Sequence, residues 1–201
     1  MSSATKFATY LKGGWNKFFV GEYSTTLPVL ADAERAVAQM DAGGRLLVGG
    51  KLHRQVTVAQ VTTAGAYGAG DGIGGKITIA NAVRLPALSG LLKSIEANFK
   101  SDNITATVKV AIFKADPAAS TFADNDPPSL HANDLMKLIG EYTLGAQMTD
   151  LGANSIFLVD NINKVIQLAG TSLYAVAWFA TGTPTLGTIG DCEITFGIEQ
   201  D

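Results

Sequence analysis

The residues with the clearest potential for chemistry form a glycine-rich run, Gly70-Asp71-Gly72-Ile73-Gly74-Gly75-Lys76. Its spacing satisfies a dinucleotide-type G-x-G-x-x-G motif and every position but the last of a phosphate-binding P-loop. A P-loop also needs Ser or Thr after its lysine to hold magnesium, and both motifs need a helix to begin there. Ile77 follows the lysine, and Ile77-Thr78-Ile79 favours a strand. We therefore interpret the run as a flexible loop between strands and expect no nucleotide cofactor.

A second candidate is an acidic loop whose carboxylates could supply oxygen ligands to calcium. Its members are Asp116, Asp124, Asp126 and Asp134. Pro127 follows Asp126 where a helix-loop-helix calcium site needs a glycine turn, and no glutamate closes the set with a bidentate contact. We predict that these aspartates are solvated turn residues and that no metal cofactor binds.

Nucleophilic catalysis would need a histidine beside a serine or cysteine, and the sequence offers no such arrangement. His53 and His131 are the only histidines, and neither lies in a nucleophile-elbow setting. Cys192, the only cysteine, lies among strand-forming residues, which favours a buried structural thiol. A glycan hydrolase would need two carboxylates facing each other across a cleft, and no such pair can be placed. We predict no catalytic residues and no enzymatic activity.

Charge and composition narrow the range of partners. The chain of 201 residues carries 15 basic and 18 acidic side chains, a net charge of −3, and its basic residues form no run. It therefore lacks the footprint of a nucleic-acid-binding protein. Charged residues make up 16% of the chain, below the roughly 25% usual in soluble domains. So few charges predict either a large buried core or a surface that an assembly covers.

Membrane insertion and secretion are not indicated. The longest wholly apolar run, from Leu173 to Ala180, has eight residues, far fewer than the roughly 20 that a membrane span requires. Lys6, Lys12 and Lys17 are spread among polar residues, which is not typical of a signal peptide. We expect a soluble protein, made in a reducing cytoplasm, with no membrane partner.

Strands are the elements that would position any site, and the segment from Asn103 to Phe113 shows the pattern best. Because strand side chains alternate between two faces, this segment gives one aliphatic face and one face bearing Thr and Lys that could meet water or a partner. The segment from Leu173 to Ala180 lacks polar alternation, which is typical of a central strand covered by the opposite sheet and by a neighbouring subunit. The aliphatic face consists of Ile104, Ala106, Val108, Val110 and Ile112.

Strand signals recur from about residue 51 onward, separated by turn residues. They predict an all-β fold at residues 51–201, a β-sandwich or jelly roll whose two sheets pack face to face. Between Phe113 and Leu138 a Pro-rich loop insertion predicts one short helix within residues 130–137. The predicted core includes Ile104, Val108, Val110, Ile112, Val176 and Trp178. The predicted strands are Gln55–Thr62, Lys76–Ala80, Gly90–Phe99, Asn103–Phe113, Leu138–Leu144, Ser155–Val159, Lys164–Leu168, Leu173–Thr181 and Cys192–Ile198.

Residues 1–50 carry weak and mixed signals, which predict an N-terminal arm with little core of its own. The Ala-rich stretch from Asp32 to Met40 fits either a helix or extended chain. Trp15, Phe18 and Phe19 have no regular element in which to be buried, so we interpret them as anchors on a neighbouring protein and not as ordinary core.

Four segments carry a resemblance to a known family. They are Asp41–Val48 with its Gly-Arg-Leu element, Gln55–Ala59, the passage Ala64–Arg84, and Val110–Pro117. In the passage, a tyrosine, small residues, an aspartate and glycines precede a strand and an Asn-x-x-Arg group, and a later strand ends in Phe-x-x-x-Pro. Together they resemble virion structural proteins of tailed bacteriophages.

The resemblance implies a capsid decoration (cement) protein on the exterior of a phage head. Such a protein would bind the major capsid protein and itself, as a homo-oligomer in which a trimer is favoured over a dimer, and would bridge coat subunits. It would be made in the host cytoplasm and located on the virion. The alternative is a head-fibre or tail component whose sandwich binds carbohydrate. The candidate interface with the capsid or a sister subunit comprises Trp15, Phe18, Phe19, Leu27 and Leu30.

Overall fold

The computed structural model describes residues 39–40, 46–47, 52–84, 89–101, 104–149 and 154–200. Contacts within the chain divide it into two units, Met1–Gly50 and Lys51–Asp201. In the first unit, β1 (Gln39–Met40) and β2 (Leu46–Leu47) form an antiparallel pair. The Ala-rich stretch therefore ends in extended chain, and its earlier residues lie outside the described ranges.

The described residues of the second unit are all-β apart from one short helix, as the sequence predicts. The described ranges contain no helix with the length and apolar character that crossing a bilayer requires. The helix α1 falls inside the predicted range of the insertion, and strands occur at all nine predicted places. The elements are β3 (Leu52–Ala59), β4 (Gly65–Ala66), β5 (Ile77–Ile79), β6 (Ser89–Phe99), β7 (Thr107–Phe113), α1 (Ala132–Leu135), β8 (Leu138–Thr149), β9 (Ser155–Val159), β10 (Lys164–Gln167), β11 (Leu173–Thr181), β12 (Thr185–Leu186) and β13 (Cys192–Gln200).

The strand order identifies a jelly roll. The strands run β3-β13-β6-β9-β8-β7-β11-β5, and β10 also pairs with β6. Because β9 pairs with Ile95–Phe99 and β10 with Ser89–Leu92, these two act as one interrupted strand along β6. With β4 and β12 left out and β9 and β10 counted as one strand, the strands are lettered B to I in chain order. Sheet BIDG then consists of β3, β13, β6 and β9 with β10, and sheet CHEF consists of β5, β11, β7 and β8. This is the arrangement of two Greek keys that defines a double-sheet jelly roll.

Strand β8 belongs to both sheets. Its first part, up to Leu144, pairs with β7, and its second part, from Gly145, pairs with β9. The predicted strand ends at Leu144, which is where the partner changes. The backbone therefore passes from one sheet to the other without a loop and closes one side of the sandwich.

The space between the two sheets holds the main core. Val108, Val110 and Ile112 are fully buried there, and Ile104 lies at its margin, which confirms the aliphatic face of β7. The core also includes aromatic pairs, such as Phe99 and Phe157, whose ring centroids are 5.7 Å apart in an edge-to-face arrangement. Such pairs add stability beyond the area that they bury.

Two predicted core residues lie on the other face of their strand. Val176 and Trp178 on β11 point away from the sandwich, because their neighbours Ala175, Ala177 and Phe179 occupy the inner positions. Side chains alternate strictly along a strand, so a run that is apolar throughout does not reveal which half faces the main core. The outer half of β11 belongs to the site described below.

One end of the sandwich is held by Asp191, which is buried. Its carboxylate accepts hydrogen bonds from the Ser101 amide at 2.9 Å and hydroxyl at 2.6 Å, and from the Gly187 amide at 3.1 Å. Burial raises the pKa of Asp191, but these hydrogen bonds outweigh it, so the net pKa is lowered. The adjacent Cys192 is a buried thiol, as predicted, and burial raises its pKa well above the usual value.

Candidate functional site

The outer face of the CHEF sheet carries an apolar groove with a volume of about 310 Å³. Its floor is formed by outward side chains of two paired strands, Ala111 and Phe113 on β7 and Val176 and Trp178 on β11. Ala111 lies directly opposite Val176 in the ladder, so their side chains share one face. The sequence places Ala111 and Phe113 on the second face of this strand, together with Thr and Lys, and the structure confirms that placement. At the end of β7 this face is apolar and buried, because Ala111 and Phe113 occupy it.

The loop insertion between β7 and β8 supplies one wall of the groove. Phe122 lies against Phe113, with their ring centroids 6.1 Å apart. The other lining residues are mostly apolar as well, and Glu141 is the one ionisable side chain among them. The lining residues outside the floor are Gly70, Phe122, Pro127, Pro128, Leu130, Leu138 and Glu141.

Asp124 fixes the first half of the insertion to the body of the domain. Its carboxylate accepts hydrogen bonds from the Thr63 amide at 2.7 Å, the Tyr67 hydroxyl at 2.8 Å and the Gly74 amide at 2.8 Å. Burial, together with the hydrogen bond to Asp124, raises the pKa of Tyr67 to about 12. Asp124 is thus hydrogen-bonded to the body of the domain and is not the solvated turn residue that the sequence predicts.

Asp134 fixes the second half of the insertion. This buried residue accepts hydrogen bonds from the Lys137 ammonium at 2.7 Å, the Ser120 hydroxyl at 2.7 Å and the Ala119 amide at 3.0 Å. The Lys137 and Ser120 contacts lower the pKa of Asp134 to about 2. The prediction of a solvated turn residue is wrong for Asp134 as well. Its hydrogen-bond partners come together only when the loop folds, and no local sequence motif indicates them.

The glycine run is part of the same assembly. Gly72 exchanges hydrogen bonds with the insertion, since its amide donates to the Asp126 carbonyl at 3.0 Å and its carbonyl accepts from the Asn125 amide at 3.0 Å. A Cβ atom at Gly72 would lie 2.5 Å from the Ala123 carbonyl oxygen, so a side chain has no room. Gly74 has a φ of +68°, which favours glycine. The motif therefore reflects close backbone packing, and β5 follows it where a nucleotide-binding motif would have a helix.

Three ion pairs lie around the groove. Glu141 accepts from the Lys109 ammonium at 2.6 Å, and Asp116 accepts from the Lys76 ammonium at 2.6 Å. The Lys76 ammonium also lies 5.9 Å from the centre of the Tyr174 ring. Together with the Asp134 and Lys137 pair, these contacts add no net charge to the rim of the groove.

The other candidate residues of the sequence have ordinary positions. His53 is an exposed residue of β3, and His131 caps α1 by accepting a hydrogen bond from the Asn133 amide at 3.1 Å. Within the described ranges, no three His, Cys, Asp or Glu side chains are grouped so that they could hold a metal ion. The predicted interface residues Trp15, Phe18, Phe19, Leu27 and Leu30 lie outside the described residues.

The sequence does not predict the groove, although two signals point to it. Ala111 and Phe113 interrupt the polar side of an otherwise alternating strand, and the apolar run of β11 indicates a strand with cover on both faces. The second cover is predicted to be a neighbouring subunit. In the structure the chain's own insertion provides part of it, and the groove is the part left open.

Comparison with known proteins adds two distant structural likenesses. No protein-family model matches the chain, and no curated protein sequence matches it. A chain from the crystal structure of tomato aspermy virus shares 13% sequence identity at a TM-score of 0.37, over 89% of this chain and 86% of that one. A chain from Desmodium yellow mottle tymovirus shares 14% identity at a TM-score of 0.29, over 88% of this chain and 94% of that one. TM-scores this low carry no argument, so the assignment of the jelly roll depends on the strand order alone.

Proposed function

We propose that the protein is a capsid decoration (cement) protein of a tailed bacteriophage, which binds the outer surface of the head and bridges coat subunits. Two observations support this function. The jelly roll is an architecture of viral capsid domains, as well as of lectin domains and cupins. The segments within residues 40–117 resemble phage virion proteins, and most of them lie in or beside strands of this jelly roll.

The observation that carries the proposal is that the polar groups of the domain serve its own fold. Every buried side-chain nitrogen and oxygen atom of the described residues has a hydrogen-bond partner. The carboxylates of Asp124, Asp134 and Asp191 are all engaged in holding loops. No buried polar side chain of the described residues is left unpaired for a substrate, which suits a protein that acts by contact and not by catalysis.

Attachment to the head is assigned, within this proposal, to the N-terminal arm. Trp15, Phe18 and Phe19, with Leu27 and Leu30, would lie on the coat or on a sister subunit, where aromatic side chains contribute much interface energy for little lost freedom. Several copies joined in a homo-oligomer would bind firmly even if each contact is modest.

The test is to mix the purified protein with heads that lack it and to image them by electron microscopy. We expect ordered density at repeated positions on the outer surface and heads that withstand a higher temperature. A protein that leaves the heads bare at saturating concentration would contradict the proposal.

A second candidate function is carbohydrate binding by a head-fibre or tail component. The observation in its favour is Trp178, a partly exposed indole in the groove, because aromatic rings offer flat surfaces for sugars. Against it, Glu141 is the one charged group in the lining and is already paired with Lys109. Screening oligosaccharides against the wild type and Trp178→Ala would decide, since this function predicts binding that the substitution removes.

A further inference from the structure

Exposed large apolar side chains are concentrated beside the groove. Leu130 and Leu138 line it with 39% and 36% of their surface exposed, while Leu135 and Met136, in and just after α1, are 53% and 81% exposed. Met136 is two residues from Leu138, so their Cα atoms are no more than about 7.6 Å apart. A concave apolar site and a projecting apolar side chain therefore lie close together.

We propose that this face binds a second copy of the chain, with Met136 and Leu135 of each copy inserted into the groove of the other. A two-fold interface uses the same patch on both copies, so the patch must contain both the cavity and the group that fills it. The groove and α1 meet this requirement. Methionine is also well suited to the site, because its flexible thioether fills irregular apolar space lined by aromatic rings.

The charges on this face favour a second copy over other partners. A patch that faces its own copy must not carry an excess of one sign, since like charges across an interface cost several kcal/mol. Here Lys76 pairs with Asp116, Lys109 with Glu141, and Lys137 with Asp134, all within one chain. These three pairs give the face no excess of one sign. The pairing needs no capsid, so its test is separate from that of capsid attachment.

The experiment measures self-association of the full chain by analytical ultracentrifugation over a range of concentrations. We expect the wild type to form a dimer and both Met136→Glu and Leu130→Lys to weaken it about tenfold or more, because each places a charge in the apolar contact. Val165→Glu is the matched control, since Val165 is 62% exposed on β10 in the other sheet. It should associate like the wild type. Unchanged melting temperatures would show that all three variants fold.

Mixing the two charged variants gives the sharper readout. A mixed dimer contains one Met136→Glu copy and one Leu130→Lys copy. At one of its two contacts the new carboxylate meets the new ammonium, and the other contact is native. The mixed dimer should therefore recover most of the wild-type affinity. The proposal is overturned if the wild type stays monomeric, if the groove variants associate normally, if Val165→Glu is equally weak, or if the mixture shows no recovery. A monomer whose groove binds coat protein or an oligosaccharide would assign the groove to that partner instead.

Discussion

Tyr67 donates a hydrogen bond to the carboxylate of Asp124 at 2.8 Å, across 57 positions of the chain. This contact joins the loop that leads into β5 to the insertion that walls the groove. Asp124 also accepts from the amides of Thr63 and Gly74, so removing its carboxylate breaks several hydrogen bonds at once.

We expect Asp124→Ala to lower the free energy of unfolding by about 2 to 4 kcal/mol, because several hydrogen bonds to a charged acceptor are lost together. Asp126→Ala, at an exposed position two residues away, should change it by no more than about 0.5 kcal/mol. Urea denaturation monitored by circular dichroism measures both. Equal losses for the two variants would show that Asp124 does not anchor the insertion.

The inner face of β7 should not tolerate a charge. Val110→Asp places a carboxylate in the main core with no partner and should cost about 4 kcal/mol or more, enough to prevent folding. Thr143→Asp is the control, since Thr143 is an exposed residue of β8 directly opposite Lys109. It should fold normally. A soluble Val110→Asp variant with an unchanged melting temperature would show that the inner face of β7 is wrongly assigned.

Stability should fall at acid pH through Asp134 and Asp191. The folded state lowers the pKa of Asp134 from 3.8 to about 2, so its ionised form stabilises the fold at higher pH, and this contribution is lost as the pH falls through that interval. Asp191 acts in the same direction. Unfolding free energies measured from about pH 5 to pH 2 should decline, and Asp134→Asn should reduce the decline. A variant with the wild-type pH dependence would contradict this assignment.

Cys192 should be unreactive in the native protein. Its thiol is buried and its pKa is raised, so little thiolate is present and reagents cannot reach it. A maleimide should label the chain slowly under native conditions and rapidly in denaturant. Val165→Cys offers a positive control at an exposed position outside the groove. Fast native labelling of the wild type would mean that β13 opens readily.

The arm and the jelly roll should be separable. A truncated chain that begins at Lys51 should keep its β-type circular dichroism and cooperative melting, because the strands of the jelly roll all lie beyond that residue. It should nevertheless lose most binding to phage heads, and Trp15→Ala with Phe18→Ala should weaken binding in the same direction. Undiminished decoration by the truncated chain would move the attachment site to the loops, with the Asp116 to Asp134 insertion as the next candidate.

The strands could be predicted from the sequence because period-two alternation and turn residues are local signals. The alternation of β7 identifies Val108 and Val110 as inner residues without any tertiary information. The same reasoning fails for β11, since a strand that is apolar on both faces does not show which residues face the main core, and it places Trp178 on the wrong side. The groove could not be predicted because it depends on the insertion, whose shape is set by bonds such as that from Tyr67 to Asp124 between distant residues.

The position of β13 has a consequence for how the chain is made. It is the middle strand between β3 and β6, yet it comes last in chain order among the described strands. Until residues 192–200 leave the ribosome, β3 has no partner strand in its sheet. Completion of the jelly roll must therefore wait for these residues, and pairing across so much sequence is slow, on the order of milliseconds to seconds. A nascent chain in this state exposes an open sheet edge. We therefore expect aggregation of this protein to begin between neighbouring nascent chains on a polysome.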